Sequence, residues 1–186
     1  MAPDIKKAVK DKMEGAVDHL RKELAGVRTG RASLALLDSV KVDYYGTPTP
    51  LRQVAALSIP ESRQIAIQPW EPNLIAEIEK AILSSDLGLT PGNDGKIVRI
   101  SIPLLTEERR KDLSKHCKKL GEDSKVVVRN LRRDANEELK GQQKSGVLSE
   151  DVLRKSQEEI QKLTDEFIKK IDEVIKSKEN EILEKN

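Results

Sequence analysis

The stretch Val128-Arg129-Asn130-Leu131-Arg132-Arg133-Asp134-Ala135-Asn136 sets three guanidinium groups within five positions. Arginine keeps its charge at any accessible pH and offers a planar fork of N–H donors matched to paired phosphate oxygens. A helical wheel with Leu131 at the centre of the buried stripe puts Lys111, Lys115, Lys118, Lys125, Arg129, Arg132, Arg133 and Lys140 on the far half. Glu122 is the one acid in the middle of that band. A face that is merely solvated usually mixes signs at i,i+4 for a small stabilisation. Repeated positive charge costs self-repulsion that a polyanion relieves, so phosphate binding is favoured over plain solvation.

Little else in the chain offers chemistry. His19 and His116 have no ligand company at metal spacing, and Cys117, adjacent to His116 on a helix, points about 100° away from it. Cys117 is best read as a core residue. No Gly-rich phosphate loop of the GxxxxGK type exists, and the stretch Pro91–Gly95 (PGNDG) reads as a hairpin turn. The acid pairs Glu107-Glu108 and Glu158-Glu159 suit helix starts and solvated faces. No nucleophile has a base beside it, so an enzyme, a metal site and a cofactor are not expected. Base stacking is disfavoured too, because the helical part of the chain holds a single aromatic, Phe167, on an apolar seam. Recognition of structured RNA by shape and backbone is the reading that remains. Its rivals are binding of any free duplex RNA and a helical protein–protein interaction module.

The elements that must position those arginines are legible in the spacing of apolar residues. Met13, Val17, Leu20, Leu24 and Val27 form a 4-3-4-3 seam that stops at Thr29-Gly30. Leu113, Cys117, Leu120, Ser124, Val127 and Leu131 form a second, continued by Ala135 and Leu139, with Thr106 as its N-cap. A third helix starts after Ser149 and uses Leu153, Ile160, Leu163, Phe167, Ile171, Val174 and Ile182. Between the first and second, the period changes. Val40, Val42 and Tyr44 alternate, as do Ile65 with Ile67 and Val98 with Ile100 and Ile102; Leu74, Ile78 and Ile82 keep helical spacing. Six of the eight prolines fall between Thr47 and Pro91. The expected fold is therefore α+β: a three-helix bundle from residues 1–30 and 104–186, with a β/α/β domain of residues 31–103 inserted into it. Two linkers, at Gly30-Arg31 and Pro103-Leu104, would permit hinge motion while restraining it.

Composition agrees. The chain has 186 residues, 37% hydrophobic and 35% charged, with four aromatic residues in all. Its flanks must build their cores from aliphatic side chains. The net charge of +2 hides an uneven spread: residues 104–145 hold twelve basic against eight acidic side chains, residues 149–186 eight against eleven. One cysteine, no long apolar run and an N-terminus interrupted by Asp4, Asp11 and Glu14 suit a cytoplasmic chain without a membrane span or transit peptide.

The stretches VRTGRAS, VDYYGTPTPL, SDLGL, LTEERRKDL, VRNLRRDAN and KLTD, in this order, resemble the bacterial ribosome recycling factor family across essentially the whole chain. That resemblance implies an L-shaped monomer whose helical bundle docks on large-subunit ribosomal RNA. It also implies that, with elongation factor G and GTP, the protein splits post-termination ribosomes into subunits, the partner being the enzyme. Arg110, Arg129 and Arg132 then occupy the family's RNA-contact positions, with Arg28 beside them near the bundle tip and Arg31 opening the linker. Arg133 and Lys125 join them from the wheel alone. One departure is the run LALLD after GRAS, where many members of that family carry proline.

Overall fold

The computed structural model describes residues 2–183. These divide into two compact units, one of residues up to Val27 with Arg110–Leu183, the other Arg28–Arg109. The division falls a few residues outside Gly30-Arg31 and Pro103-Leu104, which both lie within the smaller unit.

The larger unit holds three helices: α1 (Ala2–Ala25), α4 (Glu107–Lys144, entering the unit at Arg110) and α5 (Glu150–Leu183). Thr106 Oγ1 accepts the Arg109 amide and Ser149 Oγ accepts the Val152 amide, so the two expected caps close the otherwise open N–H groups of α4 and α5. Gly146, at φ 80°, turns the chain between them. Lys6 pairs with Glu159 near one end of α1, while Arg21 and Leu24 share a groove with Val174 and Ser177 near the other. Thus α1 runs parallel to α5 and antiparallel to α4. The core is aliphatic apart from Phe167, as the composition demands, and Met13, Leu20, Cys117, Leu139 and Ile171 are all essentially sealed from solvent. Burial holds the Cys117 thiol above its ordinary pKa.

The seam of α4 is not the expected one. Gly121 and Val128 are buried, whereas Leu120 is half-buried and Val127 exposed. The buried positions Leu113, Cys117, Gly121, Ser124, Val128, Ala135 and Leu139 advance by more than the roughly 3.5 residues per turn of a heptad seam. Gly121 is there because the helices nearly touch: a Cβ at this position would meet Ile175 Cγ1 at 2.7 Å. Likewise Ile175, not Val174, fills the seam of α5. In α1 the helix ends at Ala25, before Val27, and the buried row extends back to Ile5 and Val9.

The smaller unit contains a hairpin, β1 (Lys41–Tyr44) with β2 (Thr47–Pro50), and a four-stranded antiparallel sheet. That sheet is ordered β3 (Ala55–Glu61), β4 (Gln64–Pro69), β6 (Val98–Ser101), β5 (Pro91–Asn93). A single turn of helix, α2 (Leu51–Val54), links hairpin to sheet, and α3 (Ile75–Ser84) adds Ile78 and Ile82 to a core with Val42, Leu51, Ile65 and Ile100. The alternation of Val42, Ile65, Ile67, Val98 and Ile100 inward is as expected; β2, β3 and β5 are additional. Strand β2 escapes sequence reading because Pro48 and Pro50 mark a non-strand by default, yet a two-stranded hairpin has the free edges proline tolerates. Its turn places Tyr45 at φ 50° and Gly46 at φ 82°, both left-handed, and Asp43 Oδ1 accepts the Gly46 amide at 2.7 Å.

The stretch Pro91–Gly95 is half turn and half strand. Pro91, Gly92 and Asn93 pair with β6, and the loop proper starts at Asp94, whose Oδ1 accepts the amides of Lys96 and Ile97. Those two backbone bonds hold the Asp94 carboxyl below its ordinary pKa of 3.8, with Arg99 adding a smaller pull. A lowered folded value means that this contribution to stability is present above the ordinary carboxylate range and is lost as pH falls through the depressed value. In an NMR acid titration, the Ile97 amide shift should follow a carboxyl titrating below 3.8. Asp94→Asn should abolish that inflection.

Candidate nucleic-acid interface

The buried stripe of α4 separates two differently charged flanks. With Val128 at its centre, Lys118, Lys125, Arg129 and Arg132 lie to one side, while Asp123, Asp134 and Glu138 lie to the other. The acidic side faces α1: Asp134 and Glu138 share a groove with Asp4 and Lys12. The basic side faces α5.

That placement changes the reading of two residues. Lys125 is not on the solvated far face: its side chain is 15% exposed, with Nζ 2.7 Å from Asp172 Oδ1 and 2.9 Å from Glu122 Oε1. The bond to Asp172, then that to Glu122, raises its pKa above 10.5, so the ammonium stays charged through neutral pH and its contribution is lost as pH rises through the raised value. Lys125 is a strut between helices, because moving the seam from Val127 to Val128 rotates it toward α5. Lys118 is similarly tied to Glu179 at 3.4 Å, and Ser114 Oγ donates to the same carboxylate at 2.8 Å. Arg132 is half-buried beside α5 rather than fully solvated, and its Nη1 donates to Gln161 Oε1 at 3.0 Å.

Arg129 is half-buried and Arg133 fully exposed. Arg132 is one turn from Arg129 and next to Arg133, so the three arginines form one short cationic patch. Arg110, at the start of the larger unit, is half-buried, and its Nε is buried without a hydrogen-bond partner among the described residues. Arg28 belongs to the smaller unit, not to the bundle: α1 stops at Ala25, Gly26 and Val27 carry the chain out, and Arg28 Nη1 donates to the Leu87 carbonyl at 2.7 Å.

The two expected linkers are anchored to the sheet. The Ala32 amide donates to Ser62 O at 2.7 Å and the Ile102 amide to Arg63 O at 2.8 Å, so both chain crossings are pinned at the β3–β4 turn. Gly30, at φ 79°, lies where a Cβ would meet Leu105 Cγ at 3.3 Å. With Arg31 and Pro103 it lines a cleft of about 250 Å³ in the smaller unit. Leu104 is exposed. The LALLD run forms a 3-10 turn over Leu34–Leu37, with Ser33 Oγ accepting the Ala35 amide.

Sequence reasoning passed over Gln161, Asp165 and Asp172 as partners of the basic flank. The acidic excess of residues 149–186 is the signal for Asp165 and Asp172, while nothing in the spacing singles out Gln161.

A bundle of long helices with a cationic flank, interrupted by a small antiparallel β/α unit, defines a two-unit α+β protein. Among the described residues, no helix is long and apolar enough to cross a membrane and no cluster of side chains could hold a metal ion. Residues 20–183 match the family model described as ribosome recycling factor. The ribosome-recycling factor of Nitratidesulfovibrio vulgaris is 59% identical over 94% of both chains, and that of Geobacillus kaustophilus 54% over 99% of this chain and all of its own. A solution structure of the ribosome recycling factor is 41% identical, covering 98% of this chain and 97% of its own at a TM-score of 0.75. A second similar chain comes from models of the T. thermophilus ribosome recycling factor and E. coli elongation factor G bound to the E. coli post-termination complex. It is 44% identical, covering 99% of this chain and all of its own, at a TM-score of 0.65. The chain belongs to the ribosome recycling factor family.

Proposed function

We propose that this protein binds the post-termination ribosome and, with elongation factor G and GTP, promotes its separation into subunits. The observation that carries the reading is the near full-length likeness to a factor seen with elongation factor G on the post-termination complex. The protein works in the cytoplasm as a monomer without a cofactor, and the GTPase partner is the enzyme. The helical unit, up to Val27 with Arg110–Leu183, acts as the docking rod and Arg28–Arg109 as the arm on which elongation factor G exerts leverage, with Gly30-Arg31 and Pro103-Leu104 on the two chain segments that lead to the rod. Arg129, Arg132 and Arg133 supply phosphate contacts to large-subunit RNA, with Arg110 at the other end of α4 and Arg28 contributing from the smaller unit. Lys125 supports them indirectly by holding α4 against α5.

A protein-interaction module built on an acidic last helix is less well supported, because Asp172 and Glu179 are already engaged with Lys125 and Lys118. Light scattering on purified post-termination ribosomes is the test. Adding the protein with elongation factor G and GTP should lower the scattering as subunits part. Unchanged scattering, with the partner's GTPase active, would overturn the proposal.

A further inference from the structure

The KLTD stretch, Lys162–Asp165, is unexplained by the docking arginines themselves. Its Leu163 and Thr164 point into the bundle, Thr164 being fully buried with its hydroxyl donating to Ile160 O. Asp165 faces outward, and its Oδ1 accepts Gln161 Nε2 at 2.8 Å. Gln161 in turn accepts from Arg132 Nη1 through Oε1 at 3.0 Å. A carboxylate at neutral pH can only accept, so the Gln161 amide must turn its NH₂ toward Asp165. Its carbonyl oxygen is thereby committed to Arg132, and both ends of the amide are fixed by chemistry rather than by assignment.

We propose that Gln161, held by Asp165, is a positioning residue for Arg132: it orients the guanidinium for phosphate without neutralising it. This rests on the docking role given to Arg132 above. The contrast along the same flank supports it. Lys118 and Lys125 face carboxylates directly, whereas Arg132 faces a neutral amide with the carboxylate set one residue further away. Arg132 spends one N–H on Gln161, and the remaining donors of its fork stay available to a bidentate partner. An acid at position 161 would occupy the same fork and compete with phosphate.

Co-sedimentation with purified large ribosomal subunits across a salt series tests this, using the full chain. Gln161→Ala should weaken binding about five- to tenfold with unchanged helical content, and Gln161→Glu should weaken it further at low salt. Asp165→Asn, which keeps an accepting oxygen, should bind better than Asp165→Ala. In an Arg132→Ala background, Gln161→Ala should cost nothing more. An equal loss in both backgrounds would mean that Gln161 meets the ribosome itself, and no loss in the wild-type background would mean that Arg132 needs no support; either result overturns the proposal. Should Arg132→Ala bind like wild type, the docking role fails and the positioning role with it, an outcome distinct from the other two.

Discussion

Alanine at Arg132 is expected to weaken binding to the large subunit about 10- to 100-fold at moderate salt, the cost of one charge-assisted hydrogen-bonding group. The loss should be accompanied by a shallower dependence of log affinity on log salt, by about one phosphate's worth of released counterion. Circular dichroism and thermal midpoint should move little, because the side chain is only half-buried and its hydrogen bond to Gln161 joins it to an exposed glutamine. Lys125→Ala is the instructive companion. It removes the same formal charge, yet it leaves Asp172 and Glu122 facing each other without a cation, so its effect should appear chiefly as a lower melting temperature. If Lys125→Ala instead abolished binding with stability intact, the division of labour between the two residues would be wrong. Sedimentation and a thermal melt on both variants distinguish these cases.

The second large effect is on stability. Phe167 is 1% exposed and the bulkiest of the sealed side chains, and it is the single ring in a bundle otherwise filled by aliphatic groups. Its truncation to alanine removes far more volume than neighbouring Leu163 or Ile171 can recover, since rigid helices collapse poorly around a gap. A loss of about 3–5 kcal/mol is expected, which for a chain of this length lowers the bundle's melting temperature by roughly 6–20 °C. Lys170 Nζ lies 4.5 Å from the ring centroid, so a small additional cation–π contribution disappears too. Phe167→Leu should cost much less. A calorimetric scan that found the alanine variant within 2 °C of wild type would contradict this account of the core.

Much of this arrangement is legible in the spacing of the residues themselves. Thr106 and Ser149 cap where their hydroxyls predict, and Val42, Ile65, Ile67, Val98 and Ile100 turn inward as a period of two demands. The errors are equally physical. A 4-3 repeat in α4 suggests a heptad, but the buried row passes through Gly121 and Val128 instead of Leu120 and Val127 and meets the expected seam again at Ala135 and Leu139. A glycine carries no hydropathic signal for burial; only the approach of Ile175 reveals why it is there. That slip of one position is what turned Lys125 from a surface cation into an interhelical one. Partnerships such as Arg132 with Gln161 join residues 29 positions apart and depend on helix rotation, which periodicity alone does not resolve.

Cys117 gives the bundle a built-in clock. The chain's one thiol is sealed from solvent and held in its protonated form, so a water-soluble alkylating reagent can reach it only when the helices part. The rate of labelling therefore counts openings, and the ratio to the rate for an unfolded chain converts directly into the free energy of opening. Any partner that grips the closed bundle must slow that clock by the factor set by its concentration and affinity. Occupancy on the ribosome can thus be timed by mass spectrometry, without adding a probe to the protein.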